Sequence, residues 1–191
     1  ANEVASIGVQ VHGGMGFIEE TGAAQHARDA RILTIYEGTN GIQALDLVGR
    51  KLPLGNGKVV RDYIGEMRET AEVCRQSNNP VLVDVADKLG DAISILEETT
   101  EWLMKDGKPM DVLAGATPYL RLFALTAGGH YLARGAYAVT QQTVNPQFAQ
   151  RKMATAQFFA HNLLSQCGGL ATSVKAGNDM LDDIGLEALV S

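Results

Sequence analysis

The chain has 191 residues, a formal net charge of −6 and a pI near 5.2, which excludes a broad basic surface for nucleic acid or anionic membranes. Its hydrophobic fraction of 46% is typical of a globular protein, and no apolar run approaches the roughly 20 residues of a membrane span. The two cysteines, Cys74 and Cys167, lie too far apart in sequence for a metal-binding motif. We expect both thiols to pack as small hydrophobic groups in a cytoplasmic protein.

The first 50 residues predict three helices. Residues 1–12 carry apolar residues on one face and end at Gly13, because glycine adopts left-handed backbone geometry cheaply. A second helix is predicted over residues 22–33. The third runs from Thr39 to about Arg50, and the Thr39 hydroxyl suits the N-cap position. Since the sequence opens inside the first helix, we expect it to be part of a longer protein.

Residues 53–57 include a proline and two glycines, which break any helix, and we interpret them as a linker. The residues that follow show helical periodicity throughout, and no segment of the chain alternates with a period of two. We therefore predict an all-α protein with a helical segment over residues 1–52 and an up-and-down helical bundle over residues 58–191.

Four long helices are predicted in the bundle. Their approximate ranges are 58–76, 80–106, 110–143 and 145–167, and a last segment runs from Asp179 to Leu189. Pro118 either starts or kinks the third helix, and Gly168–Gly169 either ends or bends the fourth. The third helix is rich in small residues around Gly128, which let a neighbouring helix approach closely.

Each of these helices carries a predicted buried stripe. The stripes consist of Val60, Tyr63, Ile64, Met67, Ala71 and Cys74 on the first helix, Leu82, Val85, Ala86, Leu89, Ile93, Leu96 and Leu103 on the second, Leu120, Phe123, Ala127 and Tyr131 on the third, and Phe148, Ala156, Phe159, Ala160, Leu163 and Cys167 on the fourth.

Two runs in the first 50 residues stand out. The run Gly13–Gly16 is not a dinucleotide-binding GxGxxG motif, because Glu19 occupies the third glycine position and no strand precedes the run. By itself it is interpreted as a helix-terminating loop. In the second run, Glu37 stands between Tyr36 and the glycine turn at Gly38. Its position alone allows two interpretations, a solvated surface residue or a catalytic base held in a buried site.

Together the two runs, Gln10–Phe17 and Arg28–Thr39, resemble the C-terminal signature of flavin-dependent acyl-CoA dehydrogenases in order and spacing. The variant at Tyr36–Leu47, with Glu20–Gln25 upstream, resembles a subgroup with an extra helical C-terminal region, which includes methylmercaptopropionyl-CoA dehydrogenases. The resemblance implies that residues 1–52 are the last helices of the family's four-helix C-terminal domain and that the bundle is the appended domain. The family's other two domains would be absent, so we expect the chain to be inactive alone.

The resemblance implies that Glu37 is the base that removes the α-proton of an acyl-CoA thioester, while the β-hydrogen leaves as hydride to FAD. The backbone amide of Glu37 would help to hold the thioester carbonyl and stabilise its enolate-like charge. Tyr36 and Gly38 would line the acyl channel.

The resemblance also implies the cofactor contacts and the partners. Gln10, Gly13, Gly14 and Thr39 would contact FAD, commonly the FAD of a neighbouring subunit, so a homo-oligomer is expected. Gly41 departs from the glutamine that many relatives have there, although the subgroup shares this glycine, so the resemblance does not imply that cofactor contact here. The electrons would pass to an acceptor such as an electron-transfer flavoprotein.

Two other functions remain open at the level of sequence. The bundle would also suit a non-enzymatic helical module that mediates subunit association, and an acyl-CoA oxidase would use the same base but pass electrons to oxygen. The four histidines show no ligand spacing, so no metal site is expected. The acidic cluster of Glu97, Glu98 and Glu101 is interpreted as a solvated helix face.

Overall fold

The computed structural model describes residues 1–179, and this part of the chain contains helices and turns but no strand, which confirms the all-α prediction. The predicted last segment, from Asp179 to Leu189, lies almost entirely outside the described residues. Of residues 1–179, no helix is both long and apolar enough to cross a bilayer.

Ten α-helices are present in the described part of the chain. They are α1 (Asn2–His12), α2 (Gly14–Phe17), α3 (Ala23–Ile32), α4 (Asn40–Asp46), α5 (Lys58–Arg75), α6 (Pro80–Lys105), α7 (Pro109–Ala114), α8 (Ala116–Ala138), α9 (Pro146–Asn162) and α10 (Cys167–Lys175). A π-helical turn (Leu47–Lys51) follows α4, and 3-10 turns lie at Glu19–Thr21 and Leu164–Gln166.

The chain divides into two compact units, Ala1–Gln43 and a second unit that begins at Ala44. In the first unit α1 packs against α2 and α3, but only Gly16 and Ala30 of its residues are buried. The predicted apolar face of α1 is present and faces solvent, with exposures of 73% at Val4, 55% at Ile7 and 78% at Val11. The first unit therefore has almost no hydrophobic core of its own.

The second unit is organised around α6, which packs against α5, α8, α9 and α10. Helices α5 and α6 form an antiparallel pair, because cross-helix ion pairs join Arg61 to Glu101 at one end and Arg75 to Asp87 at the other. The stripes predicted for these two helices are confirmed. Their buried residues include Val60, Ile64, Met67, Ala71 and Cys74 on α5 and Leu82, Val85, Ala86, Leu89, Ile93, Leu96 and Leu103 on α6.

Two asparagines cap α6 and α9, both of which begin with proline. The Asn79 side chain accepts hydrogen bonds from the amides of Val81 and Leu82 at the start of α6. Asn145 does the same for the first turn of α9, with its Oδ1 atom 2.9 Å from the Gln147 amide. Both caps satisfy amides that have no partner within the helix, and the proline that follows each asparagine has no N–H to leave unsatisfied.

The prediction of one helix over residues 110–143 is wrong, although the alternative that Pro118 starts the helix agrees with the place of Pro118 in the first turn of α8. The segment forms two helices that break at Gly115, and the second helix ends at Ala138 rather than near Thr143. Pro118 explains the break: it has no N–H to donate to the Ala114 carbonyl, and its ring crowds that carbonyl. Gly115 also allows α10 to approach closely, since a Cβ atom built on it would lie 2.9 Å from the carbonyl oxygen of Val174.

The buried face of α8 also differs from the predicted one. The residues buried in α8 are Ala116, Tyr119, Leu122, Thr126, Gly129, His130, Ala133 and Ala136. The predicted stripe lies next to this face, and Tyr131 at its end is 57% exposed. Because apolar residues occur on every side of α8, periodicity did not identify which side would meet the core.

The fourth predicted helix is only partly confirmed. α9 ends at Asn162, and Gly168–Gly169 lies inside α10 rather than at a helix end. Ala156, Ala160 and Cys167 are buried as predicted, whereas Phe148 is 42% exposed. The prediction that small residues on α8 allow close packing is confirmed, since Cβ atoms on Gly128 and Gly129 would lie 3.2 Å from Phe159 and 3.1 Å from Leu164.

The acidic cluster on α6 is a set of cross-links rather than a simple solvated face. Glu97 pairs with Arg68 on α5 at 2.6 Å, and Glu98 pairs with Lys175 on α10. Glu101 is the least exposed of the three and pairs with Arg61 and Lys105; hydrogen bonds from these two cations lower its pKa to about 2. The three carboxylates therefore join α6 to two neighbouring helices.

One histidine of α8, His130, is buried in the second unit. His130 is 0% exposed, and neither ring nitrogen has a hydrogen-bond partner within the described residues. The aromatic rings of Tyr63 and Tyr131 pack against it with centroid separations of 6.2 and 4.8 Å. Burial lowers the pKa of His130, the positive charge of Arg134 lowers it further, and Glu66 opposes this in part.

The two cysteines are free and buried, as expected. Burial raises the pKa of the Cys74 thiol to about 11, and it also raises the pKa of Cys167. Both side chains therefore stay in the thiol form at neutral pH and act as core residues. Within residues 1–179, no three histidine, cysteine or acidic side chains are close enough together to hold a metal ion.

We expect Gly115→Ala to lower the free energy of unfolding by about 1 to 3 kcal/mol, because the new methyl group must displace the α10 backbone. Gly135→Ala is the matched control on α8, since a Cβ atom there meets nothing within 4 Å. This control should raise the free energy of unfolding by about 0.5 to 1 kcal/mol. Urea unfolding, followed by fluorescence of the single tryptophan, Trp102, measures both effects. Equal effects of the two substitutions would contradict the close approach at Gly115.

We expect the second unit to lose stability below about pH 6.5, the ordinary pKa of histidine in an unfolded chain. Because the folded-state pKa of His130 is lowered, the unfolded chain takes up the proton first. The stability due to neutral His130 is fully present above the unfolded-state pKa. It is lost as the pH falls from the unfolded-state pKa to the lower folded-state pKa, by at most about 1.4 kcal/mol per pH unit.

The His130→Leu variant tests this expectation by comparison of urea unfolding at several pH values. Its free energy of unfolding should change less between pH 7 and pH 5 than that of the wild type. Thr126→Val, which changes a buried polar group that does not titrate, serves as the control and should keep the wild-type slope. A wild-type slope in His130→Leu would exclude His130 as the source.

Candidate active site

All seven residues that the sequence singled out lie in the first unit, in two groups. Gln10, Gly13 and Gly14 lie at the junction of α1 and α2. Tyr36, Glu37, Gly38 and Thr39 form most of the turn between α3 and α4. Within the described residues, no hydrogen bond joins one group to the other, although α1 and α3, which lead into them, pack together.

The α1–α2 junction turns sharply at Gly13, whose φ and ψ are 60° and −142°. The Gly13 amide donates to the Gln10 carbonyl at 3.1 Å, which closes the last turn of α1. A Cβ atom on Gly13 or on Gly14 would meet nothing within 4 Å, so the backbone of both residues faces open space. Gly16 differs, because it is buried and a Cβ atom there would collide with the Val9 carbonyl.

The turn that carries Glu37 has an unusual backbone. Glu37 and Gly38 have consecutive positive φ angles of 56° and 78°. Glycine adopts this left-handed conformation freely, whereas a residue with a Cβ atom loses about 1 to 2 kcal/mol. The turn is held in part by the Ile35 carbonyl, which accepts from the Thr39 amide at 3.2 Å. Glu37 therefore occupies a strained position that the surrounding contacts must maintain.

One side chain holds the peptide that follows Glu37. The Gln43 Nε2 atom donates a hydrogen bond to the Glu37 carbonyl at 2.8 Å. Gln43 lies in α4, and its own amide donates to the Thr39 carbonyl at 3.1 Å. In contrast, the amide N–H groups of Glu37 and Gly38 donate to no acceptor among residues 1–179, so both are available to an external group.

Glu37 is exposed, and so are several large apolar residues that lie near it in the sequence. The exposed apolar residues are Ile32 at 51%, Leu33 at 52%, Ile35 at 49%, Tyr36 at 50% and Ile42 at 55%. Thr39 is exposed too, and its Oγ1 atom lies 3.5 Å from the Ile42 amide, which is too long for a strong N-cap bond. An exposed patch that is this apolar is typical of a surface that meets another surface or a ligand.

Two family models match the chain in succession. The model described as "Acyl-CoA dehydrogenase, C-terminal domain" matches residues 1–52, and the model described as "Acetyl-CoA dehydrogenase C-terminal like" matches residues 63–184. The second match alone covers more than half of the chain. The chain belongs to the acyl-CoA dehydrogenase C-terminal family.

Two relatives match the chain over most of its length. It is 39% identical over 186 residues to 3-methylmercaptopropionyl-CoA dehydrogenase of Ruegeria pomeroyi, a match that covers 95% of the chain and 32% of the relative. It is 27% identical over 191 residues to butyryl-CoA dehydrogenase of Syntrophomonas wolfei, with 95% and 31% covered. The chain thus spans about a third of the length of these two relatives.

A third relative matches a shorter stretch of the chain. The caffeyl-CoA reductase-Etf complex subunit CarC of Acetobacterium woodii is 43% identical over 51 residues, which cover 27% of the chain and 14% of that relative. The length of this match, 51 residues, is close to that of the first family model, which covers residues 1–52.

Gln43 could not be singled out from the sequence. A hydrogen bond from a side chain to a backbone carbonyl six residues earlier has no characteristic sequence pattern, and only the left-handed turn brings the two groups together. The sequence did not predict the positive φ angle of Glu37 either. Gly38 indicated a turn, but not that Glu37 would have a left-handed backbone.

Proposed function

We propose that the chain is the C-terminal part of an FAD-dependent acyl-CoA dehydrogenase, in which Glu37 removes the α-proton of an acyl-CoA thioester. The observation that carries the proposal is the combination at Glu37 of a matched family motif, an exposed carboxylate and a left-handed backbone. Strained non-glycine residues are concentrated at functional sites, where the strain orients a group for its task.

The free amides beside Glu37 support the same role. An acyl-CoA α-proton becomes acidic when the thioester carbonyl is held by hydrogen-bond donors that stabilise the charge developing on its oxygen. The Glu37 amide is a donor without an acceptor among the described residues. It would point at the thioester carbonyl, while the carboxylate of the same residue takes the proton. Tyr36 and Gly38 would line the acyl channel.

The residues at the α1–α2 junction fit a large planar cofactor. Gly13 and Gly14 leave open space beside the backbone, and the exposed Gln10 side chain stands one turn away with both donor and acceptor capacity. These residues and the exposed Thr39 hydroxyl would hold FAD by hydrogen bonds and close backbone contact. FAD, when bound, supplies the acceptor for the β-hydrogen of the substrate.

The exposed apolar surface of the first unit supports the proposal that residues outside this chain complete the site. A protein exposes so many large apolar side chains only where another surface covers them. The chain spans about a third of its relatives' length, and the remaining two thirds would cover this face and exclude water from Glu37. Residues 1–52 would be the last helices of the catalytic domain, residues 53–57 the linker and residues 58–191 the appended bundle.

The substrate and partners follow by analogy with the relatives. The names of two relatives specify the CoA thioesters of methylmercaptopropionate and butyrate, so we propose an acyl-CoA substrate of the same general class. A third relative is named as a subunit of an Etf complex, and an electron-transfer flavoprotein is the proposed electron acceptor. We also propose a homo-oligomer, in which the Gly13 junction would reach the FAD of a neighbouring subunit.

We expect Glu37→Gln in the full-length protein to abolish reduction of the flavin by acyl-CoA, because the amide cannot accept the α-proton. The measurement is anaerobic mixing with several acyl-CoA thioesters while the flavin absorbance is followed. The variant should retain its flavin, and Glu20→Gln, an exposed residue of the same unit, should bleach like the wild type. Wild-type bleaching by Glu37→Gln would remove Glu37 from the role of base.

We expect the 191-residue chain alone to show no turnover with acyl-CoA and an artificial electron acceptor, even when FAD is added. The reason is that most of the cofactor and substrate surface would lie outside the chain, although the base lies within it. Turnover by the isolated chain would show that the first unit completes the site without the rest of the protein.

A further inference from the structure

The hydrogen bond between Gln43 and the Glu37 carbonyl ties the strained turn to a neighbouring helix. Gln43 is half-buried and sits in α4, whereas the turn precedes that helix. The bond therefore connects the peptide after Glu37 to a regular element. The donor–acceptor distance of 2.8 Å is within the usual range for a well-formed N–H···O bond.

Contacts of this kind are needed to maintain the conformation of Glu37, and the Gln43 bond acts together with the backbone hydrogen bond from Thr39 to Ile35. A residue with a Cβ atom prefers the right-handed or extended region, and a rearrangement of the turn that rotates the N–Cα bond of Glu37 would return it there. Gly38 offers no resistance, because glycine tolerates either sign of φ. Rotation about the N–Cα bond of Glu37 would carry its carbonyl away from Gln43 and would redirect the Cα–Cβ bond that carries the carboxylate.

We propose that Gln43 is a positioning residue for the Glu37 base, which holds Glu37 in the left-handed conformation and so aims its carboxylate. This inference rests on the proposed function of Glu37. Gln43 does not touch the reacting atoms; its amide nitrogen acts only on the backbone carbonyl of the base. The carbonyl that Gln43 holds and the side chain of Glu37 turn together about the N–Cα bond of Glu37, so loss of the Gln43 bond would misplace the base relative to the Glu37 amide, the proposed donor to the thioester carbonyl.

The substitution Gln43→Met tests the proposal, because methionine keeps the length of the side chain and removes the donor. Gln25→Met is the matched control: Gln25 is an exposed glutamine on α3 of the same unit, and its side chain makes no hydrogen bond within residues 1–179. Gln43→Glu is a second test variant with nearly the same shape as glutamine, and its carboxylate cannot donate at neutral pH.

The first readout needs neither flavin nor substrate. NMR of the 191-residue chain reports the conformation of Glu37 through its backbone chemical shifts, and the Gln43 side-chain amide should exchange slowly with solvent in the wild type. Both Gln43 variants should move the Glu37 shifts away from left-handed values, and Gln25→Met should not. Unchanged Glu37 shifts in both Gln43 variants would overturn the proposal.

The second readout uses the full-length protein with bound FAD. Gln43→Met should reduce the limiting rate of flavin bleaching by acyl-CoA about 10- to 100-fold, as expected when a catalytic group is misplaced by about 1 Å. The concentration of acyl-CoA that gives half the limiting rate, the flavin content and the melting temperature should stay close to those of Gln25→Met. A general loss of folding would instead lower flavin content and melting temperature together.

The two hypotheses fail in different ways. If Glu37→Gln abolishes bleaching but Gln43→Met bleaches like Gln25→Met, Glu37 is the base and Gln43 does not position it. If Glu37→Gln bleaches at the wild-type rate, the proposed function fails, and with it the positioning role of Gln43, even if NMR shows that Gln43 holds the turn.

Discussion

Burial of one face of α6 is the constraint on which the second unit depends. This helix of 26 residues places ten of them in the core and contacts four other helices. Its exposed edges carry the carboxylates that pair with Arg61, Arg68 and Lys175 on the neighbouring helices. Apolar burial supplies most of the stability of such a bundle, and the partly exposed ion pairs add little energy but favour one register of the helices.

The first unit has the opposite character. Almost none of its residues are buried, yet it holds every residue that the family motif singles out. Its exposed apolar side chains and the strained backbone at Glu37 are features that a free-standing domain would avoid. Both features make physical sense if this surface is completed by other parts of a larger enzyme, with the carboxylate and the free amides at its centre.

Much of the helical arrangement could be predicted from the sequence. The stripes of α5 and α6 are strongly periodic, so the spacing of their apolar residues was enough to identify the buried face. Prediction was wrong where the pattern was weak or where several effects competed. α8 is apolar on all sides, so the predicted stripe lies one residue along the chain from the face that is buried. The break at Gly115 depends on both Pro118 and the approach of Val174.

The sequence by itself determined the helical class, the breaks at Gly13 and at residues 53–57, the buried stripes of α5 and α6 and the motif that contains Glu37, because these features depend on residues close together in the chain. Only the tertiary structure decided that His130 would be buried without a hydrogen-bond partner among the described residues, that Glu101 would pair across helices, and that Gln43 would hold the Glu37 carbonyl. Each of these depends on groups that approach one another only after the chain has folded, and no local pattern of residue types encodes their distance or direction.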